Sequence, residues 1–248
     1  VPIRAIEPRR LYRQVADHLR ELIDNGDFPA GGRLPTEREL AERLGISRPT
    51  VREALIALEV EGRVRIRVGS GIYVTEAPTA PVAALHTLQP VEGPIELLRA
   101  REFVEGAVAA EAATLVTPAD IEALDDVIAR MTAGGLPSQE TVALDREFHT
   151  TVAAILDNAV LVRFVGELFD QRVNPYFRRL ASYFENEESW RAAIEEHRVV
   201  RDAIVARDPA RARAAMQHHL QQSQRRFSKE FGEDGGTAAE DGPGTAPP

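Results

Sequence analysis

The 248-residue chain has no cysteine, one lysine (Lys229), two methionines and one tryptophan. Without thiols there can be no disulfide and no thiolate-held ion, so any metal ligands must be nitrogen or oxygen. No apolar run is long enough to span a bilayer and no cleavable leader is evident, so a soluble, cytoplasmic protein with no membrane partner is expected. A basic excess is missing as well. The formal net charge is −9, which excludes indiscriminate coating of nucleic acid. That charge is unevenly divided, however: residues 1–76 hold 13 Arg against 12 Asp and Glu, and the remainder holds 17 basic against 27 acidic residues. An arginine-rich face in the first part is therefore compatible with nucleic acid.

The most informative segment is residues 36–74, TERELAERLGISRPTVREALIALEVEGRVRIRVGSGIYV. Thr36 and Glu39 form a capping box, so a helix is predicted from Glu37 to Leu44, ended by Gly45. Ser47 caps the next helix, and Pro49 sits in its first turn, where a missing N–H costs nothing. Val51, Ala54, Leu55 and Leu58 recur at helical spacing and face inward. This places Arg48, Thr50 and Arg52 at the exposed start of a helix, the part that a helix-turn-helix presents to the major groove. Val64, Ile66 and Val68 alternate with Arg63, Arg65 and Arg67, a strand with one wet face. Gly69–Gly71 make the turn and Ile72–Val74 the return strand, giving a basic two-stranded wing suited to phosphate or a minor groove. A merely solvated strand face would also explain the wing arginines taken alone.

The expected organisation is mainly α. A winged helix-turn-helix domain occupies 1–76, including an amphipathic helix near 9–25. A linker with a short helix (82–88) follows at 77–93, then an all-α bundle at 94–231 and a disordered acidic tail at 232–248. In the bundle, one helix after Pro94 runs to about Leu115, with Ile95, Leu98, Phe103, Ala107, Ala110 and Leu115 along one side. Others are predicted at about 117–131, 138–156, 159–184 (with a kink at Pro175), 188–207 and 209–231.

Within the bundle, Asp145 and His149 stand one turn apart on one helix face. His197 lies mid-helix in EEHRVVRDAI and a histidine pair, His218 and His219, in the last helix. One carboxylate and three imidazoles from three helices can hold a divalent ion of the kind that bundles build from facing helices, with Zn, Ni, Mn or Fe all admissible. Spacing alone leaves two alternatives open: hydrogen-bonded core histidines, and His218 in place of His219. His18 and His86 have no such partners and are read as surface residues.

The segment TERELAERLGISRPTVREALIALEVEGRV…GSGIYV closely resembles the winged helix of GntR-type bacterial transcription regulators. The pieces ELLRAREFVEGAVAAEAA, DREFH, EHRVVRDAI and MQHHL resemble the FadR-like subfamily with its all-helical FCD effector domain. That resemblance implies a homodimeric regulator, read as a repressor, that binds double-stranded operator DNA and answers to a small carboxylate effector. It implies metal ligation by Asp145, His149, His197 and His219, with Met216 selecting His219 over His218. It also implies DNA contacts at Arg38, Ser47, Arg48, Thr50, Arg52 and Gly69. Arg101 is the candidate anchor for the effector carboxylate, its alternative being an ion pair with Glu105. Asn158 is a second candidate whose alternative role is a helix cap. Direct metal sensing is an alternative function. A metal-dependent hydrolase is not expected, because Glu147, the nearest spare carboxylate in sequence, points to another helix face.

Overall fold

The computed structural model describes residues 11–75, 93–134, 139–173 and 175–228. Nearly all of the expected linker and short helix, the acidic tail, residues 229–231 of the last expected helix, and His86 lie outside the described residues. Helix α1 spans Leu11–Asp24 and buries Tyr12, Val15, Ala16 and Leu19 against the third helix. Helix α2 spans Glu37–Leu44 and opens on the capping box: the Glu39 N–H donates to Thr36 Oγ1, and the Thr36 N–H returns a bond to Glu39 Oε2 at 2.8 Å. It closes on Gly45 at φ 65°, a left-handed conformation that glycine adopts without strain. Helix α3 spans Arg48–Val60 behind the Ser47 cap, with Val51, Ala54, Leu55 and Leu58 fully buried.

Strands β1 (Val64–Arg67) and β2 (Gly71–Val74) pair antiparallel, with Val64 opposite Val74 and Ile66 opposite Ile72 on the covered face. Val68 departs from the predicted alternation. It lies 57% exposed in the turn, beyond the last paired residue, so β1 ends at Arg67.

The bundle comprises α4 (Pro94–Leu115), α5 (Pro118–Ala133), α6 (Gln139–Ala154), α7 (Ala159–Asp170), α8 (Pro175–Phe184), α9 (Glu187–Val205) and α10 (Pro209–Ser228). Helices α4 and α10 make its most extensive contact. Small residues explain their closeness: Gly106, Ala109, Ala112 and Ala113 are buried on α4, and a Cβ at Gly106 would lie 2.9 Å from Gln217 Cγ. The side of α4 that the apolar spacing pointed inward is only partly so, because Phe103 is 67% exposed and Leu115 also faces outward. The single kinked helix expected over 159–184 is two helices with a 3₁₀ turn at Gln171–Val173 between them. Pro175 stands at the first position of α8, where its missing N–H breaks no bond, so it begins a helix rather than kinking one.

The winged helix packs on the bundle through α3 and α8. Tyr12 stacks on Tyr176 at 5.9 Å, and the Tyr176 hydroxyl donates to the Glu53 carbonyl. Arg179 donates twice to Glu59 at 2.9 and 3.0 Å, and the Tyr183 hydroxyl donates to the same carboxylate at 2.6 Å. No helix among the described residues is long and apolar enough to cross a membrane.

Candidate metal centre and nucleic-acid interface

Three helices bring the histidine constellation together. Asp145 and His149 leave one face of α6, His197 comes from α9 and His219 from α10, and one ligand-type atom of each lies within 4.8 Å of the others. All four side chains are buried. His218 is exposed and its Nε2 contacts Gln222, so one helical position separates a ligand candidate from a surface residue. Asp145 Oδ1 lies 3.5 Å from His149 Nε2 and 3.3 Å from His197 Nε2, too long for strong bonds. Neither these atoms nor His197 Nδ1 makes a well-aligned hydrogen bond. Buried polar atoms left this way are costly unless something else satisfies them. A divalent ion about 2.1 Å from Asp145 Oδ1, His149 Nε2 and one ring nitrogen of His197 would satisfy those three, and these donors suit it. The residues fit a metal.

The outer partners of the histidines support the same reading. Glu196 Oε2 lies 2.8 Å from His219 Nδ1, the carboxylate–imidazole pairing that orients a metal-binding histidine, and Glu105 Oε2 comes within 2.5 Å of His149 Nδ1 without the alignment of a hydrogen bond. Burial, with His197 and His149 close by, pushes His219 well below its ordinary pKa, and burial also lowers His197. Both rings therefore offer lone pairs at neutral pH. Burial also weighs against protonating His149, but Glu105 and the Asp145 contact outweigh it and raise that pKa. Burial would raise Asp145 too, yet His149, His197 and Arg172 hold its carboxyl well below the usual range. Arg101 and His149 outweigh burial at Glu105 and lower it to about 2.

A cavity of about 20 Å³ adjoins the cluster, lined by Asp145, Arg172, Glu185, Trp190, His219 and Arg226 among others. Arg172 bridges Asp145 Oδ2 at 2.7 Å and Glu185 at 2.8 Å, and Arg226 pairs with Glu196. The Trp190 indole N–H is buried without an acceptor. Sequence reasoning missed Arg172, Trp190, Arg226, Glu105 as an imidazole partner and Glu196, although Trp190 and Arg226 lie two turns from His197 and His219 on the same helix faces and Glu196 directly precedes His197. The expected effector anchors lie elsewhere. Arg101 is 1% exposed, held by Glu105 at 2.6 Å and stacked on Phe169, and it does not line the cavity. Asn158 is exposed and caps α7, accepting from the Val160 and Leu161 N–H groups. In this structure Arg101 makes the ion pair and Asn158 the helix cap that were their alternatives.

The second site is a groove of about 290 Å³ between helix-turn-helix and wing, lined by Arg33, Arg38, Arg48, Arg67 and Gly69 among others. It gathers three of the expected DNA contacts (Arg38, Arg48 and Gly69) and adds Arg33 from the loop before α2. Ser47 and Thr50 share a 2.7 Å hydroxyl bond at the start of α3. Arg52 corrects the expectation of an exposed base-reading side chain. It is 2% exposed, donates to both oxygens of the buried Glu37 at 2.8 and 3.0 Å, and donates to the Phe227 carbonyl at 2.7 Å. The reason is tertiary: Arg52 stands one turn past Arg48, where Glu37 of α2, the Phe184 ring of α8 and the Phe227 carbonyl of α10 enclose it.

Comparison with known proteins agrees with this architecture. Residues 11–74 match the family described as "Bacterial regulatory proteins, gntR family", and residues 96–222 match the FCD domain. The chain is 36% identical to the Exu regulon transcriptional regulator of Escherichia coli K12, over 92% of this chain and 88% of that protein. It is 35% identical to the Uxu operon regulator of Haemophilus influenzae, over 86% and 80%. A solved Streptococcus agalactiae GntR structure is 25% identical with a TM-score of 0.45, over 86% of this chain and 99% of that one. The Exu and Uxu proteins are named as regulators. The chain belongs to the GntR family of bacterial transcription regulators, with a winged helix-turn-helix joined to an FCD domain.

Proposed function

We propose that this sequence-specific regulator is a homodimeric repressor. Its operator affinity is set by a small carboxylate bound beside a divalent ion that Asp145, His149, His197 and His219 hold. The observation that carries the proposal is the conjunction of four buried, mutually close ligand atoms with an arginine-lined cavity touching two of the same residues. A bound ion supplies a Lewis-acid centre for a carboxylate oxygen. Arg172 and Arg226 supply fixed guanidinium donors for an anion, and the Trp190 N–H suits a hydroxyl or carboxylate oxygen. The anchor role expected of Arg101 thus passes to cavity-lining arginines, and hydroxy acids, sugar acids and dicarboxylates are the ligand classes such a site selects. A thermal-shift screen of these acids tests the proposal: at least one stabilises the protein with Zn, Ni or Mn present and none does so after chelation. Equal stabilisation in both conditions contradicts it.

The DNA face carries its own prediction. Arg48 lies on the groove with its guanidinium about one-third exposed, 3.5 Å from Glu37. Arg48→Ala is expected to weaken operator binding by ~1–3 kcal/mol, the value of a bidentate guanine contact. Its thermal unfolding should stay as in wild type. Wild-type affinity in an electrophoretic shift assay would place the base-reading face elsewhere.

A homodimer follows from the small contact set of one winged helix, since two half-sites a helical turn apart supply the missing affinity. The exposed Phe103 on α4 is apolar surface that a second copy can cover. Sedimentation of the 27.3 kDa chain at micromolar concentration is expected to give twice that mass. A monomer with and without operator would refute the arrangement.

A further inference from the structure

Arg52 and Phe227, 175 residues apart in sequence, join the recognition helix to the cavity. Arg52 lies one turn past Arg48 on the same face of α3. Its guanidinium is enclosed by Glu37, the Phe227 carbonyl and the Phe184 ring, which stands 5.4 Å from Arg52 Cζ. Phe227 follows His219 by about two turns of α10. Its ring meets Phe177 edge-on at 5.3 Å and Phe184 at 6.4 Å, and it lines the cavity that Asp145 and His219 also line. Further along α3, Arg179 and Tyr183 of α8 grip Glu59. The cavity, at about 20 Å³, has room for a single water. A carboxylate of several heavy atoms is several times the size of one water. Such a ligand enters only if part of the wall moves, and the wall includes Ser223, Arg226 and Phe227 at the end of α10.

We propose that the last turn of α10 together with α8 forms an autoinhibitory latch on the recognition helix. Closed, it caps Arg52 and covers that turn of α3; open, it removes that cover while Arg52 keeps its ion pair with Glu37. The latch rests on the reading of the bundle as a ligand-controlled domain, and it supplies the physical route between cavity and DNA. A wall displacement that shifts Phe227 necessarily changes the acceptor of Arg52. By reciprocity, DNA engagement of α3 alters the cavity in turn.

A cysteine-free chain makes the test direct. In the Glu59→Cys/Arg179→Cys protein, a short linker with two thiosulfonate ends clamps α3 to α8 through two disulfides, each formed with loss of sulfinate and each cleavable by reductant. The probe is a duplex enriched from random sequence by the wild-type chain. The clamped protein is expected to bind it about 5–150-fold more weakly, and cleavage of the linker in the same sample restores binding. A second variant, Arg179→Ala/Tyr183→Phe, loosens the latch at a part-exposed site and is expected to bind several-fold tighter than wild type. Unchanged affinity in the clamped protein, or no gain in the loosened one, overturns the latch while leaving the regulator reading intact. If the wild-type chain enriches no sequence, the regulator reading fails and the latch falls with it.

Discussion

Arg52→Ala is expected to lower the stability of the fold by about 3 kcal/mol, seen as a lower urea midpoint. Removing one partner of a buried ion pair strands the other as an uncompensated charge. Here the stranded group is Glu37, 7% exposed, which loses two short bonds from the guanidinium. The cost stays at the low end of such effects because Arg48 remains 3.5 Å away and Glu37 sits in the first turn of α2, where the helix dipole favours an anion. The double variant Arg52→Met/Glu37→Leu should recover most of the loss, since apolar replacement of a buried pair is close to neutral. An Arg52→Ala midpoint equal to wild type would mean that Arg52 is solvated, as the sequence pattern alone suggested.

Chelation is expected to lower the melting temperature by about 5–10 °C. An ion present at about one hundred times its dissociation constant contributes about 2.7 kcal/mol to the folded state, and each kcal/mol moves a domain of this size by about 2–4 °C. The loss comes from three helices at once, because α6, α9 and α10 each supply a ligand. Readdition of a divalent ion should restore the transition, and His197→Ala should be insensitive to chelator. A wild-type transition unmoved by exhaustive chelation would make the cluster a set of core histidines without an ion.

The two halves were legible to different depths for physical reasons. Local signals carried the winged helix: the Thr36–Glu39 box, Gly45 and the Ser47–Pro49 start act within a few residues, and each sits where its chemistry placed it. Asp145 and His149 were legible as a pair because four residues make about one helical turn, and His197 with the His218–His219 pair were legible as candidates, whereas the choice of His219 over His218 relied on resemblance. The cavity-lining Trp190 and Arg226 stand two turns from His197 and His219 on the same helix faces and were legible there, whereas Arg172 comes from a 3₁₀ turn whose approach no local pattern encodes. Arg52 was misread for the same reason. Its period put it on the wet face of α3, and Glu37 of α2, Phe184 of α8 and the Phe227 carbonyl of α10 together enclosed it. Arg101 shows the converse, since its partner Glu105 was one turn away and an ion pair at that spacing was the simpler expectation.

The most direct test of the account is an operator titration on metal-loaded wild type and on His197→Ala, each with and without the stabilising carboxylate from the thermal-shift screen. In wild type the acid should change operator affinity by ~5–150-fold, the range of a 1–3 kcal/mol coupling. His197→Ala should keep its basal operator affinity and show neither metal binding nor response. A full response to the acid in His197→Ala, with no metal bound, would contradict the account.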